Sequence, residues 1–467
     1  MPEAERPNTD SGADVIIVGG GASGVLMAFH LLRDPTAEVR VILIEKRPQL
    51  GRGVAYGTTN PDHLLNVRAA SMSAVRDEPD HFWSWVCANP TTTSWKWKPE
   101  NDPSCFAPRM IYGDYLSSLT APFTAHGSRP GRLRIIHGEC LSIDEGRSGV
   151  TVTLADGSHH SADFGILATG HDARSKAGGC YVDAWTAPSD AGVDRSAKVL
   201  IVGTGLTMVD YVLSLDARGH TGPIVAMSRR GLLPREDRQQ QALSIPAPDV
   251  PLGAGISELC RWLRNLVATR TAQGADWRSV VDGLRPFNQQ IWQQLPEAAR
   301  RSFLRHGRAW WNVHRHRMPQ EIAARIGAAT ASGRLTVMAA RLRAVEQGCP
   351  GATIHYQRRG GSAIKTMQID NIVECRGVVT NPMQTSNPVI RNLLDQERAR
   401  IDPLGIGLDV APDGAIVART GAPSERLFAV GPIARAALWE ITAVPEIRGQ
   451  CAELAGRIQR TRLRCAG

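Results

Sequence analysis

No two of the nine cysteines stand in C-x-x-C spacing. They are scattered over Cys87, Cys105, Cys140, Cys180, Cys260, Cys349, Cys375, Cys451 and Cys465, and their number is odd. That excludes the dithiol of a disulfide reductase and fits free thiols in a reducing cytoplasm. No apolar run approaches the ~20 residues of a membrane span. The stretch 1–13 has neither a basic n-region nor an apolar h-region, so it reads as a disordered lead-in rather than a signal peptide. Lysine is scarce, and no Lys/Arg run reaches the roughly 5–8 residues of a nucleic-acid patch. The net charge of +9, from 54 basic and 45 acidic residues, therefore points to small anionic ligands rather than to nucleic acid or a membrane. His314 and His316 have no carboxylate or cysteine at ligand spacing, so no metal site is expected.

What is present begins with Val15-Ile16-Ile17-Val18, a β-branched run that ends in Gly19-x-Gly21-x-x-Gly24 and passes straight into the apolar helix pattern Val25 to Leu32. In such a strand–turn–helix unit the first glycine makes the tight turn. The second lets backbone approach a pyrophosphate, and the third lets helix and strand pack closely. Ser23 lies in the same turn. The helix N-terminus supplies free N–H groups and a positive dipole end. A second apolar strand ends in Glu45, about 20 residues beyond the last glycine, where an acid takes ribose hydroxyls. Lys46 and Arg52 follow in a loop rich in glycine, and Arg52 is placed to neutralise a phosphate.

That loop carries G-R-G-V-A-Y-G-T-T-N-P-D-H-L-L-N-V-R-A over residues 51–69. Behind a dinucleotide fingerprint, this run resembles the family of FAD-dependent urate hydroxylases and aspartate N-monooxygenases. A more distant resemblance, through Arg109-x-x-Tyr112 and Tyr115-Leu116, is to flavin-containing and amino-acid N-hydroxylating monooxygenases. The resemblance implies FAD at the first site, with Asn66 near the flavin ring. His63 is expected only to close a turn. Arg109 opens a short helix, a poor place for a cation unless it meets an anion such as a cofactor phosphate or a substrate carboxylate. Asn66 and Arg109 are thus the weak catalytic candidates.

The β-rich stretch from Leu133 turns at Asp156-Gly157 and ends in Ala168-Thr169-Gly170-His171, the crossover out of the first domain. A second fingerprint, Gly203-x-Gly205-x-x-Met208, follows the strand Lys198–Val202; Met208 in place of the third glycine should keep strand and helix further apart. The next strand ends in Ser228-Arg229-Arg230 instead of an acid, and guanidinium forks there match a ribose 2′-phosphate. NADPH is therefore expected over NADH. Residues 235–330 read as a helical insertion able to cap the active site, closing with the aromatic-basic cluster Trp310 to Pro319, which either holds an anionic group or the nicotinamide half of NADPH, or docks the insertion to the sheet. Gly431-Pro432 after a final strand, with a helical pattern from Ala434 to Leu438, should aim a helix N-terminus at the flavin pyrimidine ring.

The expected fold is α/β, with two Rossmann-like three-layer domains. Residues 14–190 form the first part of the FAD domain, 191–384 the NAD(P)H domain with its insertion, and 385–467 the return to the FAD domain. The expected activity is that of an FAD-dependent, NADPH-consuming monooxygenase. It would insert one oxygen atom of O2 into a small, anionic, nitrogen-containing molecule through a flavin hydroperoxide kept dry by the insertion. Three alternatives stay open: an oxidoreductase passing electrons to a quinone, small acceptor or protein; a non-catalytic NADPH-binding protein; and a nucleic-acid binder with a vestigial nucleotide fold.

Overall fold

The structure, a computed structural model, describes residues 13–89, 102–124, 131–172, 178–348 and 350–465. Nearly all of the lead-in expected over 1–13, and the tryptophans at 95 and 97, lie outside them.

The first sheet is built around β1 (Ala13–Val18), whose Val15, Ile16 and Ile17 are wholly buried. A strand covered on both faces needs a continuous apolar run, and a parallel sheet supplies the cover with crossover helices. β1 pairs in parallel with β2 (Val41–Glu45) and β6 (His159–Leu167), and β2 in turn with β3 (Leu133–His137). β4 (Cys140–Glu145) and β5 (Val150–Leu154) form an antiparallel ribbon on the edge of β6. Helix α1 (Ala22–Leu32) packs on this sheet, and α2 (His81–Ala88) and α3 (Arg109–Ser118) lie beyond it.

The second sheet starts at β7 (Tyr181–Val182), ahead of the boundary expected at 191. It continues with β8 (Val199–Val202), β9 (Ile224–Ser228), β10 (Leu335–Gln347), β11 (Ala352–Arg358), β12 (Ile364–Ile369) and β13 (Asn371–Glu374), in the spatial order β12-β11-β10-β9-β8-β13-β7. Helix α4 (Leu206–Ala217) follows β8. Between β9 and β10 come α5 (Ile256–Ala272), α6 (Trp277–Gly283), α7 (Asn288–Gln294), α8 (Glu297–Ser302), α9 (Arg308–Arg315) and α10 (Gln320–Ala331). Pro286 and Pro296 break the helical pattern between α6 and α8, since proline removes a backbone donor and clashes with the preceding turn.

After α11 (Pro388–Asp395) the chain rejoins the first sheet through β14 (Ala415–Val417) and β15 (Pro423–Ala429), the latter parallel to β6. It ends in α12 (Val444–Cys465), packed against α1. One expectation fails here. Residues 431–434 make a single 3-10 turn, and turns, not a helix, carry the chain to Val444. Pro432 starts that turn, and Glu440 holds φ +66°, outside the helical region, so no helix can run through.

Cys87, Cys140, Cys180, Cys260, Cys375 and Cys451 form no disulfide, and among the described residues no helix is long and apolar enough to cross a membrane.

Candidate dinucleotide sites

The two glycine fingerprints fold alike. Gly19 has φ +108° and donates its N–H to Ile44 O at 2.8 Å; Gly203 has φ +128° and donates to Met227 O at 2.8 Å. A Cβ on Gly19 would lie 2.4 Å from Ala168 O, and one on Gly203 would lie 2.1 Å from Cys375 O. In each case the obstructing carbonyl belongs to the residue just after the strand (β6 or β13) that leads out of the sheet. Glycine is demanded twice by the same contact.

The third position differs. A Cβ on Gly24 would stand 1.8 Å from Gly19 O, whereas the fully buried Met208 occupies the same place in α4. The second helix accommodates it with a tightened first turn, Met208 N donating to Gly205 O at 3.0 Å.

Both helices start uncapped. Gly21 precedes α1 and Gly205 precedes α4, neither offering a side-chain acceptor, and neither first turn contains an acid. The N–H groups at each start are left for an external anion. Beyond a Cβ placed on Gly205 there is no atom within 4 Å, so that face is open.

At the first fingerprint lies a cavity of about 440 Å³. Gly19, Gly21, Ser23, Glu45, Lys46 and Arg52 all line it, so six of the residues expected at the FAD site are brought together. Glu45 is half-buried; its Oε2 accepts from Gly20 N at 2.7 Å and its Oε1 from Arg47 N at 2.9 Å. Each oxygen keeps a lone pair for a ribose hydroxyl. Lys46 reaches Glu139 at 3.1 Å. Arg52 is already committed, donating to Met110 O at 2.9 Å and pairing with Asp114. Gly113 makes room for this, since a Cβ there would fall 2.8 Å from the guanidinium. Gly431 (φ +72°) is a packing residue, with its Cβ position 2.2 Å from Ser23 Oγ; its neighbours Pro432 and Ile433 line the cavity.

Asn66 is exposed and lines no part of this cavity. Arg109 does meet an anion, but the anion is Asp210 on α4, 2.9 Å from Nη1, while its Nε donates to Leu64 O at 3.0 Å. His63 does more than close its turn. Thr58 Oγ1 lies 2.8 Å from its Nδ1, and its Nε2 sits 2.9 Å from both Asp210 O and Ser214 Oγ. Burial holds this imidazole below its ordinary range, so the ring is a neutral link. Loop 58–68 is thus a strap between the first sheet's helices and the helix of the second fingerprint.

At the second site Ser228 replaces the acid. Its hydroxyl receives Thr204 Oγ1 at 2.9 Å and Gly231 N at 2.9 Å. Arg229 is exposed, while Arg230 donates to His306 O at 3.0 Å and lies 5.8 Å over the Trp310 ring. Arg230 therefore docks the insertion.

The Trp310–Pro319 cluster docks as well. Trp311 Nε1 donates to Glu440 Oε1 at 2.5 Å, Arg315 lies 3.3 Å from Glu440 Oε2, and Asn288 Nδ2 reaches the same oxygen at 2.8 Å. His316 beside them is held down to about 4, first by burial. His314 instead bonds Trp310 O at 2.8 Å. Trp292 stacks on Trp439 with centroids 4.6 Å apart.

Sequence reasoning missed Arg435 and His171 as a pair, and Glu440. Arg435 Nη2 donates to His171 Nδ1 at 3.1 Å, and both residues line the cavity. Because arginine has only donors, His171 must carry its proton on Nε2. Burial, with the Arg435 charge added, holds this imidazole down to about 3.

Residues 16–172 match the FAD-NAD(P)-binding family. No curated protein sequence matches the chain. Among solved structures, the ornithine N-hydroxylase of Kutzneria sp. 744, seen with reduced FAD, NADP+ and L-ornithine, is similar with a TM-score of 0.67 at 14% identity. The match covers 97% of this chain and 100% of that one. The L-lysine 6-monooxygenase of Pseudomonas syringae gives 0.65 at 14% identity, covering 96% and 99%. The ornithine hydroxylase of Pseudomonas aeruginosa gives 0.64 at 15%, covering 96% and 99%. These likenesses extend beyond residues 16–172 and show the fold over nearly the whole chain.

Proposed function

We propose that this protein is an FAD-dependent, NADPH-consuming monooxygenase that inserts one oxygen atom of O2 into a small, anionic, nitrogen-bearing molecule. The observation that carries this reading is the doubled glycine turn, Gly19 against Ala168 O and Gly203 against Cys375 O, on one chain with the fold of flavin-dependent N-hydroxylases. Two nucleotide sites in one polypeptide call for hydride transfer between them.

The residues of the first cavity suit FAD. The uncapped start of α1, with Gly21 approaching Gly53 closely enough that a Cβ would lie 3.5 Å away, suits a pyrophosphate; Glu45 suits ribose hydroxyls. FAD held there by Gly19, Gly21, Ser23 and Glu45 would supply the two-electron chemistry that links a nicotinamide to O2. The chain's own task is to orient and to exclude water. Tyr56, Ile433, Thr442 and Ile447 are among the residues that wall the cavity. The insertion is fixed over the 435–443 turns by Trp292, Trp311 and Asn288, which supports a dry pocket without a swinging lid. At the second site Ser228 and Arg229 in place of an acid favour the 2′-phosphate of NADPH over NADH.

Purified protein should be yellow, and NADPH added without air should bleach the flavin. In air, NADPH consumption should rise with a coupled amino acid or related amine, with little hydrogen peroxide released. NADPH oxidation that proceeds equally with quinones or dyes and ignores every amine would make the protein a reductase instead.

A further inference from the structure

Three arginines outside the glycine turns come from three different elements: Arg435 lines the cavity, Arg308 is near enough for its charge to act on Arg435, and Arg229 near enough to act on Arg308. Arg435 follows the 3-10 turn at 431–434, lines the cavity, and is fixed by Pro432 O at 3.2 Å and His171 at 3.1 Å. Arg308 opens α9 directly after a π turn over Phe303–Gly307, the kind of irregularity that recurs at functional sites. Its place is bracketed on two sides. Two residues earlier, His306 O takes the Arg230 guanidinium at 3.0 Å. Five residues earlier, Phe303 packs edge-on against Trp439, centroids 5.5 Å apart; Trp439 stacks on Trp292, whose indole binds Ala436 O at 2.8 Å, next to Arg435. Arg229 stands outermost, at the end of β9.

Among the described residues none of the three makes an ion pair. Burial and then the Arg308 charge bring Arg435 down to about 10, and burial and then Arg229 bring Arg308 down as well. Arg308 and Arg435 remain cations at neutral pH. Two like charges drawn together and partly out of water without a counter-charge are costly, and an anion between them removes the cost. Guanidinium forks suit a planar oxyanion, and the Nε2–H of His171 adds a neutral donor.

We infer that Arg308 and Arg435 form the acid-group subsite of the substrate, so that the molecule oxygenated is a carboxylate held between the insertion and the FAD domain. This rests on the function proposed above. Arg435 lies on the cavity side, with the first nucleotide. Arg229 lies at the corner of the second fingerprint and is left to the NADPH phosphate.

The test is calorimetric titration of the FAD-loaded protein with succinate, with its uncharged diamide, and separately with NADP+. Succinate should bind and the diamide should not. Arg308→Gln and Arg435→Gln should each weaken succinate about tenfold or more, leaving NADP+ within about twofold, and Arg435→Lys should recover part of the loss. Wild-type protein that ignores succinate, or variants that lose NADP+ binding instead, would overturn the assignment and give these arginines to the nucleotide. A glutamine variant that does not retain FAD is replaced by its lysine counterpart, which keeps the charge but not the fork and should weaken succinate less than tenfold; no weakening at all counts against the subsite. Because binding is read without turnover, a protein that takes succinate but is never reduced by NADPH would sink the function and leave the subsite standing.

Discussion

Arg109 at the start of α3 meets Asp210 on α4 at 2.9 Å, each side chain about 16% exposed, so an ion pair ties the helix beside the first nucleotide cavity to the helix that opens at the second fingerprint. His63 and Asn60 reinforce it through Ser214, at 2.9 and 3.3 Å. The relation between the two glycine fingerprints is thereby set by contacts that lie outside both turns. Arg109→Met should leave Asp210 half-buried and unpaired, costing roughly 1–3 kcal/mol of stability. It should also slow flavin reduction by NADPH while FAD content stays normal. Urea unfolding and anaerobic stopped-flow measure the two effects; normal reduction in a destabilised variant would mean the pair has no part in aligning the sites.

Gly24→Ala and Gly205→Ala make a paired test of the two fingerprints. The first puts a methyl 1.8 Å from Gly19 O and should yield protein without flavin. The second meets no atom within 4 Å, so the fold and the FAD should survive. Weaker NADP+ binding in that variant, read by titration, would mark Gly205 as the point of phosphate approach.

Arg229 and Arg230 should separate by phenotype. Arg229→Ala should raise the KM for NADPH about tenfold or more with little change for NADH, the loss of one charge-assisted contact to phosphate. Arg230→Ala releases His306 O and the Trp310 ring, so it should lower thermal stability and treat both nucleotides alike. Steady-state kinetics with each nucleotide, beside melting curves, tells them apart.

Acid should destabilise the protein well above the carboxylate range. Burial holds His30 and His316 down to about 4, against an ordinary 6.5. Below pH 6.5 the unfolded chain takes up protons that the native chain refuses, so stability is whole above about 6.5 and falls as the pH drops to about 4. His30 Nε2 lies 3.1 Å from Ala74 O, which only a protonated ring nitrogen can satisfy as donor. His30→Gln keeps a donor without the titration and should flatten that slope by about one proton, measured by urea midpoints from pH 7 to 4.

The glycine turns, the strands around them and Glu45 were legible in the sequence because each is a local pattern with a fixed geometric cause. Arg109 was legible as a cation in need of an anion, but not Asp210 as that anion, since nothing local joins positions a hundred residues apart. Arg435 and Arg308 left no pattern at all; they are drawn together by Trp292, Trp439 and Phe303, aromatic residues that sequence alone spreads over two segments. The helix expected at 434–438 failed for a related reason. Its apolar spacing is real, but Glu440 spends its carboxylate on Trp311, Asn288 and Arg315, and that anchorage fixes a turn where propensity asks for a helix.

Gly431 closes over Ser23 so tightly that a single methyl would collide with the hydroxyl 2.2 Å away, and α12 lies along α1. The first glycine turn is therefore completed by a segment far from it in sequence, and a substitution at Gly431 would reach the fingerprint without altering any of the fingerprint's own residues.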